Sequence, residues 1–177
     1  MKITLPALTA ALLLGAAPAL AQTTEGPAHE HPTIERTYGS PTSFIASTVT
    51  VPAGSELIFL SGQLPDVADP AAAPGTVAAY GDTETQSAST FAKIERLLAT
   101  RNLTMGDVVS MTVYLMAAPG SDRMDFAGMM RAYGKYFGTA EQPNRPSRST
   151  VQVAGLAGPG FLVEIEVTAA RTASHAH

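Results

Sequence analysis

The order of periodic segments predicts an α+β domain: three strands, a helix, a strand, a second helix and two closing strands, hence a six-stranded mixed sheet with both helices on one face. Three observations carry this expectation. Residues 44–51 (FIASTVTV) and 56–60 (ELIFL) are rich in residues that favour strands, with Pro52, Ala53, Gly54 and Ser55 between them. Residues 82–102 and 121–138 repeat apolar side chains at helical spacing. Residues 108–116 (VVSMTVYLM) alternate, with Val109, Met111, Val113 and Leu115 on one face.

Each element follows from local chemistry. A short strand is expected over residues 35–38, and the 52–55 turn makes a hairpin of the next two strands. Residues 65–79 are dense in Pro, Ala and Gly and read as a surface loop. Asp82 or Thr83 can cap the first helix, whose buried stripe is Ala88, Phe91, Ile94, Leu97 and Leu98 and whose end lies near Asn102. Pro119 and Gly120 end the strand after it. Ser121 or Asp122 then opens a second amphipathic helix carrying Phe126, Met130, Tyr133 and Phe137, closed by Gly138, with its methionines read as core filler. Residues 149–153 and 161–170 form the last strands, linked through a Gly-Pro-Gly turn. Strands carrying apolar side chains on both sides leave a second sheet face to cover, and another copy of the chain is the economical cover.

Composition narrows the function. The 177 residues carry 11 Lys and Arg against 15 Asp and Glu, a net charge of −4, which disfavours a binder that neutralises nucleic-acid phosphates. Zero cysteine excludes disulfides, thiolate metal sites and a cysteine nucleophile. Residues 1–21 place Lys2 before an apolar run that ends in Ala19-Leu20-Ala21, the pattern of a secretory signal peptide. The run is short and is interrupted by Pro6 and Pro18, which argues against a membrane anchor. The expected organisation is a signal peptide over residues 1–21, a leader over 22–39, one domain over 40–171 and a tail over 172–177. Cleavage after Ala21 gives a periplasmic or secreted protein with no membrane contact. The His29/His31 and His175/His177 pairs lie in the terminal segments without a carboxylate or cysteine cage nearby, so solvated termini are expected there and no metal site.

Few residues are left for chemistry. There is no Gly-x-Ser-x-Gly elbow, phosphate loop, dinucleotide fingerprint or His-Glu-x-x-His motif, and Ser61 has no histidine partner in the domain. Arg148, at the start of a strand, can hold a carboxylate with its fork of donors or form a surface or inter-subunit ion pair. Arg145, between two prolines, competes for the first role. Glu164 and Glu166 share a strand face and either meet solvent on an edge strand or, for Glu164, orient water in a cleft.

The motifs also form an ordered series: Ser61-Gly62-Gln63-Leu64-Pro65, Thr85-Gln86, Met105-Gly106-Asp107-Val108-Val109 before Thr112-Val113-Tyr114-Leu115, Tyr133 to Phe137, Pro146-Ser147-Arg148-Ser149 and Leu162-Val163-Glu164-Ile165-Glu166. Over residues 40–171 this series resembles the RidA/YjgF family of imine and enamine deaminases. The resemblance implies a chorismate-mutase-like α+β fold and a homotrimer whose sheets pack inward as a barrel, with active sites between subunits. By the same resemblance Arg148 grips the substrate carboxylate and Glu164 stands near the attacking water. Ser61, Gly62 and Gln63 shape the pocket, and Thr150 stands where many members carry cysteine. A pocket tyrosine common in the family has no clear equivalent near residues 40–44, and a common asparagine is replaced by Met130. The implied activity is cofactor-free hydrolysis of 2-imino acids or enamines to 2-oxo acids and ammonia. The alternative is an exported, non-catalytic trimer that binds small carboxylates through the same cleft. A structural or chaperone-like trimer is a third possibility, and an endoribonuclease role, also attached to this family, is disfavoured by the acidic balance.

Overall fold

Two short strands open the described part of the chain, β1 (Glu35–Thr37) and β2 (Thr48–Thr50), paired antiparallel with each other. The structure is a computed structural model that describes residues 33–172. The signal peptide read over residues 1–21, most of the leader and the histidine pairs of both termini lie outside the described residues.

The main sheet has four strands, β3 (Glu56–Gln63), β4 (Val108–Leu115), β5 (Ser147–Gln152) and β6 (Val163–Arg171), in the order β3-β6-β4-β5. The β3–β6 and β6–β4 pairs are antiparallel and β4–β5 is parallel, so the sheet is mixed, as expected for the fold class. The six expected strands therefore divide between two sheets. The hairpin expected across residues 52–55 is corrected. A turn does form there, with Gly54 at φ 82° and the Ser55 N–H donating to Pro52 O at 3.3 Å. Yet β2 pairs back on β1, while β3 joins β6. Ile58 and Leu60 of β3 pack against the core, and the three-residue Thr-Val-Thr of β2 has no comparable face to bury.

A short helix α1 (Val77–Tyr80) ends the Pro-rich loop and leads into α2 (Thr83–Ala99). Asp82 caps α2 by accepting from the Thr85 N–H at 2.9 Å, which satisfies one of the free donors of its first turn. Asn102, at φ 55°, closes its far end, with the Leu103 N–H returning to Leu98 O at 3.0 Å, a Schellman-type stop. The second long helix starts later than expected. α3 spans Phe126–Tyr133 and is capped by Asp125, which accepts from the Gly128 N–H at 2.8 Å. The residues before it instead make a tight return in which Ala117 bridges Met124, and Phe137 packs from turns beyond Gly134.

Both helices cover one sheet face. Phe91, Ile94 and Leu98 of α2 and Met129, Ala132 and Tyr133 of α3 interlock with Met111, Val113 and Leu115 of β4 and Val163, Ile165 and Val167 of β6. Each buried Phe, Ile, Leu, Val or Met side chain among these stabilises the fold by roughly 1.5–3 kcal/mol when removed from water. Gln86 is the polar clasp of this core. Its Nε2 donates to Gly81 O and Gly160 O, both at 2.9 Å, and its Oε1 accepts from the Leu162 N–H at 2.7 Å. The second face is apolar only towards its rims, at Leu57 and Phe59 on β3 and Val151 on β5. Its centre is polar, with Thr112, Tyr114, Glu164 and Glu166. The apolar side chains expected on that face are thus present but confined to its rims. No helix among the described residues is long and apolar enough to cross a membrane.

Candidate functional site

Arg148 lies on edge strand β5 opposite Met111, so its side chain projects to the helix side of the sheet. Its guanidinium stacks over the Tyr133 ring, 4.3 Å from the centroid, and lies 5.9 Å from that of Phe126. Nη2 donates only to the soft Met130 sulfur at 3.2 Å, and Nη1 is buried with no partner. None of the ion pairs among the described residues includes Arg148. Burial pulls its pKa below the ordinary arginine value, and the nearby Tyr133 acts in the opposite direction. A cation held this way favours an incoming anion, because desolvation strengthens its electrostatic reach while its own donors stay largely unused.

Tyr133 is fixed from both sides. Its hydroxyl donates to Phe44 O at 2.8 Å, which pins the loop between β1 and β2 beside Arg148. Burial, partly offset by the Arg148 charge, pushes its pKa up to about 12. The result is a cleft of about 620 Å³ with Phe44, Ile45, Phe126 and Met130 as walls and Arg148 among them. The competitor Arg145 is engaged elsewhere, 5.0 Å above the Tyr38 ring. Thr150, two residues on from Arg148 and on the same face, keeps its hydroxyl oxygen buried without a partner.

The other predicted residues gather on the opposite face. Glu164 stands opposite Tyr114 on β6, an interior strand, so the edge-strand expectation for its carboxylate does not hold. Between Leu60 and Gln63 the β3–β6 register slips, and Ser61 and Gly62 together oppose the single Glu166. This bulge brings the bare Gly62 Cα under Glu164. A Cβ there would collide with Oε1 and come within 2.9 Å of Cδ. Gln63 Nε2 donates to Ser61 O at 2.8 Å across the bulge. Ser61 lines a shallow concavity of about 430 Å³ together with Phe59, Thr112 and Glu166. Glu166 accepts from the Tyr114 hydroxyl at 3.0 Å, and that bond raises the Tyr114 pKa.

Within one chain, then, Arg148 and Thr150 share the helix side, while Gly62 and Glu164 share the open side. Sequence reasoning overlooked the aromatic bed of Arg148. Phe126 and Tyr133 read as core because their spacing is that of any buried helix stripe, whereas Met130 is marked by the family resemblance as standing where a pocket asparagine is common. The contribution of Phe44 depends on a hydrogen bond 89 residues long in sequence, for which no local signal exists. Among the described residues no group of three His, Cys, Asp or Glu side chains is placed to hold a metal ion.

Comparison with known proteins agrees with this architecture. The family model described as Endoribonuclease L-PSP matches residues 46–171. A RutC family protein of Pyrococcus horikoshii is 33% identical over 112 residues, covering 63% of this chain and 77% of the relative. Among solved structures, TdcF of E. coli with bound serine superposes with a TM-score of 0.52 at 29% identity, over 69% of this chain and 85% of that one. The YjgF gene product of E. coli gives a TM-score of 0.50 at 27% identity, over 68% and 84% of the two chains.

Proposed function

For a chain that belongs to the Endoribonuclease L-PSP family, within which its relatives carry the RutC and YjgF names, we propose hydrolytic deamination of 2-imino acids or enamines to 2-oxo acids and ammonia. The observation that carries this reading is Arg148, a desolvated guanidinium without a counter-ion in an apolar cleft. That is a receptor for one carboxylate, and the similar TdcF structure holds serine, a ligand with such a group. Arg148 binds the carboxylate and so fixes the neighbouring imine carbon. Glu164 takes a proton from water as the water oxygen bonds to that carbon, and the C=N double bond becomes the C–N bond of a carbinolamine. Glu164 returns that proton to the carbinolamine nitrogen; ammonia then leaves with the C–N bonding pair while the hydroxyl oxygen forms the C=O bond and gives its proton back to the Glu164 carboxylate, which yields the 2-oxo acid. Positioning and preorganised charge supply the acceleration, since a protonated imine is already electrophilic.

Arg148 and Glu164 occupy opposite faces of one sheet, so the proposed site takes Arg148 and Thr150 from one copy and Gly62 and Glu164 from its neighbour. A homotrimer with inward-facing sheets provides that arrangement, and it also covers Leu57, Phe59 and Val151. The same separation favours a second reading for the lone subunit, carboxylate binding without turnover. RNA cleavage, which the family description names, is less well served. One guanidinium between aromatic rings in a chain of net charge −4 is a poor track for a phosphate backbone.

The deciding experiment generates 2-iminopropanoate in the presence of the purified protein and follows its decay. Acceleration that vanishes in Arg148→Ala while the oligomer persists is expected. Decay at the buffer rate for small and bulky imines alike removes the deaminase reading. Binding of 2-oxo acids without turnover then favours the second one.

A further inference from the structure

We infer that Tyr114 is a positioning residue for the proposed base: by drawing Glu166 towards β4 it parts that carboxylate from Glu164 and leaves Glu164 free to exchange its proton with the reacting atoms. The inference rests on the assignment of Glu164 as base and deepens it. Every contact it uses lies within one chain and follows from strand register, so it does not depend on what covers this face of the sheet. Glu164 and Glu166 point to the same side of β6, with Cα atoms about 7 Å apart, a gap that two glutamate side chains can close. Carboxylates that meet cannot both stay charged at low cost and come to share one proton. A base caught in such a pair would hold its proton against its neighbour instead of returning it to the carbinolamine nitrogen.

The two side chains diverge instead. Glu164 leans towards β3, where its Cδ lies 2.9 Å and its Cγ 3.0 Å from the point at which Gly62 would carry a Cβ. Glu166 leans the other way, and its Oε1 accepts from the Tyr114 hydroxyl at 3.0 Å. The residue directly opposite Glu166 is Thr112, while Tyr114 stands opposite Glu164. The Tyr114 hydroxyl therefore reaches diagonally past its own partner to the farther carboxylate, a span that a long aromatic side chain can cover. The bond also raises the Tyr114 pKa, so the hydroxyl keeps the proton it donates. Within the chain no cation does this work, since none of the ion pairs among the described residues includes Glu164 or Glu166.

The test follows 2-iminopropanoate decay and pyruvate binding for the wild type, Tyr114→Phe, Glu166→Ala, the Tyr114→Phe/Glu166→Ala pair and Glu164→Gln. Tyr114→Phe should lower kcat by about tenfold, a part of the 10²–10⁴-fold that a positioned base contributes. Its KM and pyruvate affinity should stay unchanged, because Arg148 projects from the other face of the sheet. Glu166→Ala removes the carboxylate that must be held away and should keep kcat near the wild-type value. The double variant should recover what Tyr114→Phe loses, a rescue that mere loss of packing cannot produce. Wild-type kcat in Tyr114→Phe, or a double variant no faster than Tyr114→Phe alone, overturns the inference, and a dead Glu164→Gln beside it leaves the base reading standing. Full activity in Glu164→Gln, or none in the wild type, overturns both.

Discussion

Tyr133 joins two parts of the molecule through one side chain: its hydroxyl holds the Phe44 carbonyl at 2.8 Å, and its ring lies 4.3 Å beneath the Arg148 guanidinium. The loop between β1 and β2 and the candidate anion site are therefore positioned by the same ring.

Tyr133→Phe keeps the ring and removes the hydroxyl. Loss of the hydrogen bond to Phe44 should lower stability by about 1 kcal/mol, the usual net value of such a bond. Ligand affinity should fall as the Phe44 wall loosens. Chemical denaturation and oxo-acid titration measure the two effects separately.

The same residue predicts an alkaline transition. Its hydroxyl ionises at about 12 in the folded protein, against an ordinary value near 10. The folded state thus holds a proton that the unfolded chain has released, so stability is full below pH 10 and declines as pH rises towards 12. Denaturant midpoints measured across this window should fall more steeply for the wild type than for Tyr133→Phe.

Arg148→Met should separate stability from function. It replaces a desolvated cation without a counter-ion by an apolar chain of similar length. Carboxylate affinity should disappear, while stability should hold or rise by on the order of 1 kcal/mol. A fall in thermal midpoint would show that the guanidinium supports the fold through its aromatic stack.

Gly62→Ala puts a methyl group where the Glu164 carboxyl now rests. The carboxylate must swing away, and displacement of this order at a reacting group can cost roughly 10²-fold in turnover. Oxo-acid binding through Arg148, on the other face, should persist. Steady-state kinetics paired with calorimetry distinguishes this pattern from general unfolding.

Gln86→Leu tests the clasp between α2 and the start of β6. It strands the carbonyls of Gly81 and Gly160 and the Leu162 N–H in a buried setting. Three orphaned groups should cost about 3 kcal/mol or more, enough to lower the denaturation midpoint sharply.

The sequence made the helices and most strands legible because their signals are local. Asp82 before the Phe91, Ile94 and Leu98 stripe, and the alternation from Val109 to Leu115, follow directly from periodicity and capping. Strand pairing was less accessible. Nothing near Pro52 records that Ile58 and Leu60 find their partners on β6, more than 100 residues away. Ser121, Asp122 and Asp125 are equally good caps in sequence, and the Ala117–Met124 bridge decides among them, which moves the helix start to Phe126. Arg148 and Glu164 stood out because charges are scarce in this chain. Their placement on opposite faces was hidden, since it depends on β4 lying between β5 and β6.

That partition by the sheet has a genetic consequence. If each working site draws Arg148 from one copy and Glu164 from the next, two separately inactive alleles can repair each other. Arg148→Ala and Glu164→Gln chains, unfolded together and reassembled as a mixture, would form some junctions with both side chains intact. Recovered activity from two dead parents would then count those junctions, and its dependence on the mixing ratio would report how many copies close the ring.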